Sequence, residues 1–194
     1  MSGIIQTSLS RRNALRIGGM GTLSAAAIGL LAGAPTIARA ADSMAGGDVS
    51  ILNVALGLEH EAIAAYQIGA ESKLLTAGTL KVAVGFQSQH KEHRDALIAT
   101  IEKLGGKPVS SKKQKEYAAA LHADTLKSEA DVLMLAKKLE LGAANAYLGV
   151  IPSFEDKNLA QVSARLAADE TMHWTVLAQV TGEMLPSKAL SFGA

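Results

Sequence analysis

Six residues able to bind cations interrupt four apolar stripes of helical spacing. One stripe runs Leu52, Ala55, Leu56, Glu59, Ala62, Ile63, Tyr66, and every member but Glu59 is apolar or aromatic. A second runs Val82, Phe86, His90, His93, Leu97, Ile101, and a third Leu133, Ala136, Glu140, Ala143, Ala144, Tyr147. The fourth is Val162, Leu166, Glu170, His173, Leu177, Val180. A lone buried acid or imidazole is costly. Four interruptions at matching places ask for a common partner. Three carboxylates and three imidazoles form a hard-to-borderline donor set that suits divalent iron or manganese, with zinc and copper also open. Metal charge would offset the cost of burying Glu59, Glu140 and Glu170. The alternative is a bundle in which these side chains pair with one another and with water.

The spacings repeat. Glu59 precedes Tyr66 by seven positions and Glu140 precedes Tyr147 by seven. His93 follows Glu59 by 34 positions and His173 follows Glu140 by 33. Counted from turns near Ala77 and Phe154, at roughly 1.5 Å per residue, the six side chains fall within about one helical turn of a common depth. That places all six in one layer. Tyr66 and Tyr147 read as packing or supporting groups. Gln89 reads as an amide between helices or a residue touching the site's edge, Trp174 as packing, Glu92 as solvated, and His60 and His122 as non-ligands.

Four long helices are needed to hold that layer. The pattern predicts helices over 48–75, 79–104, 128–151 and 158–181. Asp48 is the expected first cap, and 76–78 a tight turn. Gly105-Gly106 ends the second helix, Ser128 with Asp131 opens the third, Pro152 closes it, and Gly182 follows the fourth. The connection 105–127 is long and holds a short amphipathic piece over 115–122. Short hairpin turns force antiparallel pairs, while a long link lets the second and third helices run parallel.

The N-terminus reads as an address. Residues 1–40 carry Arg11, Arg12, Arg16 and Arg39 and no acid, with an apolar, Gly- and Ala-rich stretch over 17–34. Small residues at Ala38 and Ala40 fit a signal-peptidase site. The run Ser10-Arg11-Arg12-Asn13-Ala14-Leu15-Arg16 resembles the twin-arginine (Tat) export motif, with Ala14 where that motif usually has Phe. The resemblance implies passage through the Tat machinery, cleavage after Ala40 and a periplasmic product with no membrane segment; an uncleaved anchor is the other reading. A linker is expected over 41–47, the bundle over 48–185 and a tail over 186–194. Beyond residue 40 the chain has 15 basic and 18 acidic residues and no basic run interleaved with aromatics, so no nucleic-acid partner is expected. The 194-residue chain has no Cys, which excludes disulfides, thiolate metal sites, iron–sulfur clusters and thiol catalysis.

Taken together, the four stripes are similar to the ferritin-like superfamily that includes bacterioferritin and rubrerythrin. The similarity covers about residues 48–181. Such bundles supply one Glu from each of two helices and Glu-x-x-His from each of the other two. It implies an all-α, ferritin-like four-helix bundle of two antiparallel hairpins joined by a long crossover. It also implies metal-ligand roles for Glu59, His93, Glu140, Glu170 and His173. Glu170-Thr171-Met172-His173 is an intact Glu-x-x-His, whereas His90-Lys91-Glu92-His93 puts His90 where a bridging carboxylate normally sits. The expected site is dinuclear and its expected cofactor a divalent metal, iron first, with ferroxidase- or peroxide-type chemistry on dioxygen or peroxide if the site turns over. The alternatives are a structural or interaction bundle without metal chemistry, and a metal-sequestering stress protein. Catalytic residues are not assigned, and a homodimer is left open.

Overall fold

The structure, a computed structural model, describes residues 47–193. The expected export signal (1–40) and residues 41–46 of the expected linker lie outside the described residues. Five α-helices follow: α1 Asp48–Glu71, α2 Ala77–Lys103, α3 Gln114–Ala120, α4 Glu129–Val150 and α5 Lys157–Val180. Single 3₁₀ turns occupy Ala123–Thr125 and Ile151–Ser153. The described residues contain no strand, and none of their helices is long and apolar enough to cross a membrane.

Helix ends follow local chemistry. Gly47, not Asp48, is the α1 N-cap, and the Asp48 carboxylate instead accepts the backbone N–H groups of Glu155 (2.9 Å) and Asp156 (3.0 Å), tying α1 to the α4–α5 turn. The first helix stops at Glu71, short of the expected residue 75. Ser72 donates its hydroxyl to the Gly69 carbonyl (2.7 Å) and accepts the Leu74 N–H (3.1 Å), diverting backbone groups from the helical ladder. The expected turn at 76–78 therefore moves back, and Thr76 caps α2 by accepting the Thr79 N–H. Ser128 caps α4 through the Asp131 N–H, as its sequence suggested. At the far end of α2, Gly105 turns left-handed (φ +77°), and a Cβ on Gly106 would lie 2.5 Å from the Val49 Cγ1. Only glycine fits the chain's close approach there.

Side-chain pairs set the directions. Gln87 donates to the Ile63 carbonyl, and His90 meets Glu59, so α1 and α2 are antiparallel. Ser163 donates to the Tyr147 carbonyl and Lys137 to Thr181, so α4 and α5 are antiparallel. Tyr66 reaches Glu140 and Tyr147 reaches Glu59, which makes α1 antiparallel to α4. Hence α2 and α4 run parallel, joined by the crossover that carries α3. This is two hairpins and one long connection, as the loop lengths require.

The two halves of the bundle differ. Leu52, Leu56, Leu97, Ile101, Leu159 and Leu166 pack a continuous core in one half. The other half keeps a cavity of about 280 Å³, bounded by α1, α2, α4 and α5. Three expected stripe residues are exposed: Val82 (43%), Val162 (38%) and Val180 (60%). Val82 and Val180 border the cavity, where small side chains on α1 and α4 leave the valines no tight partner.

Candidate metal centre

Glu59, His90, His93, Glu140, Glu170 and His173 are all buried at the junction of the two halves. Each arrives from the middle of a long helix, where apolar neighbours one turn either side fix which face points inward. The structure brings all six together. They form two overlapping groups, Glu59–His90–His93–Glu170 and His90–Glu140–Glu170–His173, and within each group one ligand atom per residue lies within 4.8 Å of the others. His90 and Glu170 belong to both.

The imidazoles are oriented from outside the cluster. His173 donates its Nε2–H to the Gln89 Oε1 (2.5 Å), leaving Nδ1 facing Glu140 Oε2 (3.3 Å) and Glu170 Oε2 (3.4 Å). His93 donates its Nε2–H to Asp169 Oδ2 (3.2 Å), leaving Nδ1 facing Glu170 Oε1 (3.2 Å) and Glu59 Oε1 (3.5 Å). A hydrogen bond to the outer nitrogen fixes the tautomer that offers the inner one. His90 is different: Nδ1 faces Glu59 Oε2 (2.8 Å) and Nε2 faces Glu140 Oε1 (3.2 Å), one nitrogen toward each group. Tyr147 donates its hydroxyl to Glu59 Oε1, and Tyr66 to Glu140 Oε1. The Phe86 ring stacks on His173 with centroids 4.1 Å apart.

Among the described residues, three buried side-chain polar atoms have no hydrogen-bond partner: His93 Nδ1 and both oxygens of Glu170. They sit within ion-pair reach of one another, yet no N–H lies in line between them. Buried polar atoms without a partner are rare, and an ion is one of the ordinary explanations. The donor chemistry fits a divalent cation: carboxylate oxygens and imidazole nitrogens converge on common points, and Glu170 can offer an oxygen to each group.

With no cation bound, the cluster shares protons. Burial alone would raise the Glu59 carboxyl, but hydrogen bonds and charge from His90 and His93 hold it below its ordinary value. Glu140 is likewise pulled down against burial by His173 and His90. Glu170 goes the other way, because burial and its neighbour Glu140 outweigh the help it receives from His173 and His93. Burial opposes the imidazolium forms, yet the glutamates raise all three histidines, His93 to about 10. Both tyrosines are pushed up by burial and by the adjoining carboxylates.

A family profile described as a ferritin-like domain matches residues 47–183. The chain belongs to the ferritin-like domain family. A solved structure of a conserved hypothetical protein, rv2844, from Mycobacterium tuberculosis resembles this ferritin-like chain with a TM-score of 0.59 and 22% identity. It covers 73% of this chain and 94% of its own, and supports the fold. No curated protein matches the chain.

Asp169 and Glu61 escaped the sequence reading of this ferritin-like site, and Gln89 was read as an amide between helices or a residue at the site's edge. Asp169 and Gln89 each precede a stripe residue, about 100° round the helix, so periodicity leaves them off the buried face; the outer imidazole nitrogens reach them there. Gln89 touches the site's edge, its amide on α2 accepting from His173 on α5. Glu61 is buried (4% exposed) beside the cavity, and burial pushes its carboxyl up to about 7 despite Lys112. His60 lies outside the cluster, its Nε2 3.2 Å from the Val109 carbonyl.

Proposed function

We propose that this ferritin-like protein holds one or two divalent cations, iron first, among Glu59, His90, His93, Glu140, Glu170 and His173. The observation that carries the reading is the unpartnered trio, His93 Nδ1 and the two Glu170 oxygens, sealed in the core among further donors. In this reading His93 and His173 bind through Nδ1, Glu59 and Glu140 each offer carboxylate oxygens, and Glu170 is shared. Asp169 and Gln89 hold the two imidazoles in the ligating tautomer. Tyr147 and Tyr66 fix the rotation of Glu59 and Glu140 by donating to one oxygen of each. Leu56, Leu97 and Ala167 close the packed side against water. Bound iron at such a site supplies a one-electron couple able to reduce dioxygen or peroxide. The same site would also serve sequestration without turnover.

Export by the Tat route, with cleavage after Ala40 and residence in the periplasm, completes the proposal and is supported by the arginine pair and the Ala38/Ala40 spacing. N-terminal sequencing of the protein recovered from the periplasmic fraction tests it directly.

A second reading, a metal-free structural bundle, is favoured by one observation. A protonated His90 spans Glu59 and Glu140 and would satisfy both carboxylates unaided. Elemental analysis of protein exported in vivo separates the readings, together with a Glu140→Ala/His173→Ala variant. The metal reading expects near-stoichiometric metal that the variant loses, along with any metal-dependent rise in melting temperature. Sub-stoichiometric metal and an unchanged melt of the variant would leave the structural bundle standing.

A further inference from the structure

The cavity beside the cluster has its own chemistry. Its walls are made small by Ala62, Ala65 and Gly69 on α1, Ala83 on α2, and Ala136 and Ala143 on α4. These residues follow the helical period, so the space is built into the helices rather than left by one poor contact. Its volume of about 280 Å³ compares with roughly 150 Å³ for an apolar cavity that takes up benzene, which allows on the order of ten non-hydrogen atoms.

The polar groups on its wall are few, and nearly all are engaged. The Tyr66 hydroxyl is donated to Glu140, the His90 nitrogens face Glu59 and Glu140, and Thr79 is hydrogen-bonded to Thr76. Glu61 is the exception: a buried wall carboxyl with no hydrogen bond and no direct ion pair among the described residues. Its oxygens are not sealed like those of Glu170 but stay reachable at the wall, so a molecule entering the cavity meets an acceptor that no donor of the described residues occupies.

We propose that this cavity binds a small, mainly aliphatic molecule carrying one hydrogen-bond donor, its chain lying among the alanines and its head on Glu61. An anionic head meets the Glu61 carboxylate on the same wall once that group is ionised, so above a pH of about 7 the wall favours a neutral head. Tyr66, His90 and Glu140 form part of the wall, so the bound chain lies against the Glu/His cluster. Binding itself does not depend on a metal there, and its test leaves the metal reading untouched.

The test is calorimetric titration of the full-length protein, stripped of metal, at pH 9, where Glu61 is ionised, with 1-octanol and with octanoate. Saturable binding of 1-octanol is expected, with octanoate at least about tenfold weaker, the effect of setting a charge against an acceptor. Ala136→Leu and Ala83→Leu fill the space from two different helices, and each weakens 1-octanol binding at least about tenfold, as loss of the buried chain requires. Glu61→Leu removes most of the preference for the alcohol. If neither filling variant folds, xenon NMR of the unaltered protein reads the cavity directly, and a saturable xenon shift is expected. The proposal is overturned by any of four results: no saturable 1-octanol binding, octanoate binding as well as the alcohol, folded filling variants that keep full affinity, or no xenon uptake.

Discussion

Tyr147 on α4 donates its hydroxyl to Glu59 on α1, and the mirror of that bond, Tyr66 on α1 to Glu140 on α4, lies across the same interface. The two seven-residue spacings of the sequence are thus joined crosswise. Each half of the internal repeat holds the carboxylate of the other. The arrangement makes the α1–α4 contact and the carboxylate positions one property.

Tyr147→Phe removes the donor from a buried carboxylate while keeping the ring. A loss of about 1–3 kcal/mol is expected in the metal-free protein, measured by urea unfolding. Tyr66→Phe should cost a similar amount. The double variant should depart from additivity, because both carboxylates also meet His90.

Gln89→Ala and Asp169→Ala act on the tautomers of His173 and His93. Both side chains lie toward the surface, so melting of the metal-free protein should change little. Affinity for added Fe(II) or Zn(II), read by chelator competition, should fall by about 10–100-fold, the usual effect of losing an imidazole's outer partner.

The metal-free protein should lose stability in alkali. His93 is raised from its ordinary 6.5 to about 10 in the folded state. Its contribution is complete below the unfolded value and disappears as pH rises through about 10. Denaturant midpoints of metal-free protein across this range should show the fall, and His93→Gln should flatten it. Metal binding must displace these imidazole protons, so calorimetric enthalpies should vary with the ionisation enthalpy of the buffer.

Saturating metal should raise the unfolding free energy by about 2.7 kcal/mol at a free concentration a hundredfold above Kd. Removal by a chelator should reverse the rise. Glu140→Ala/His173→Ala should show no such response, with helical circular dichroism retained.

Gly106→Ala tests the crossover apart from the site. The added Cβ would meet Val49 at 2.5 Å and Ile101 at 3.0 Å. A destabilisation of about 1–3 kcal/mol is expected from overpacking, with metal content unchanged.

Periodicity and loop length determined the architecture by themselves. An apolar stripe with a 3.6-residue repeat has one way to hide from water, and a 23-residue link between two tight turns permits the parallel pair that the helices adopt. The six cluster residues were legible for the same reason, since a charged group in the middle of an apolar stripe is inward whatever its partner. What the stripes could not contain was anything set by distance across the bundle. Asp169 and Gln89 lie off the buried face and join the cluster only because an imidazole has a second nitrogen on its far side. The crosswise tyrosine bonds depend on α1 and α4 being antiparallel at one depth. The cavity depends on small residues from three helices facing one another, and Glu61 is buried only because that wall surrounds it. Helix phase is a local property carried by the order of residues, whereas these contacts belong to the relative placement of helices, which packing alone decides.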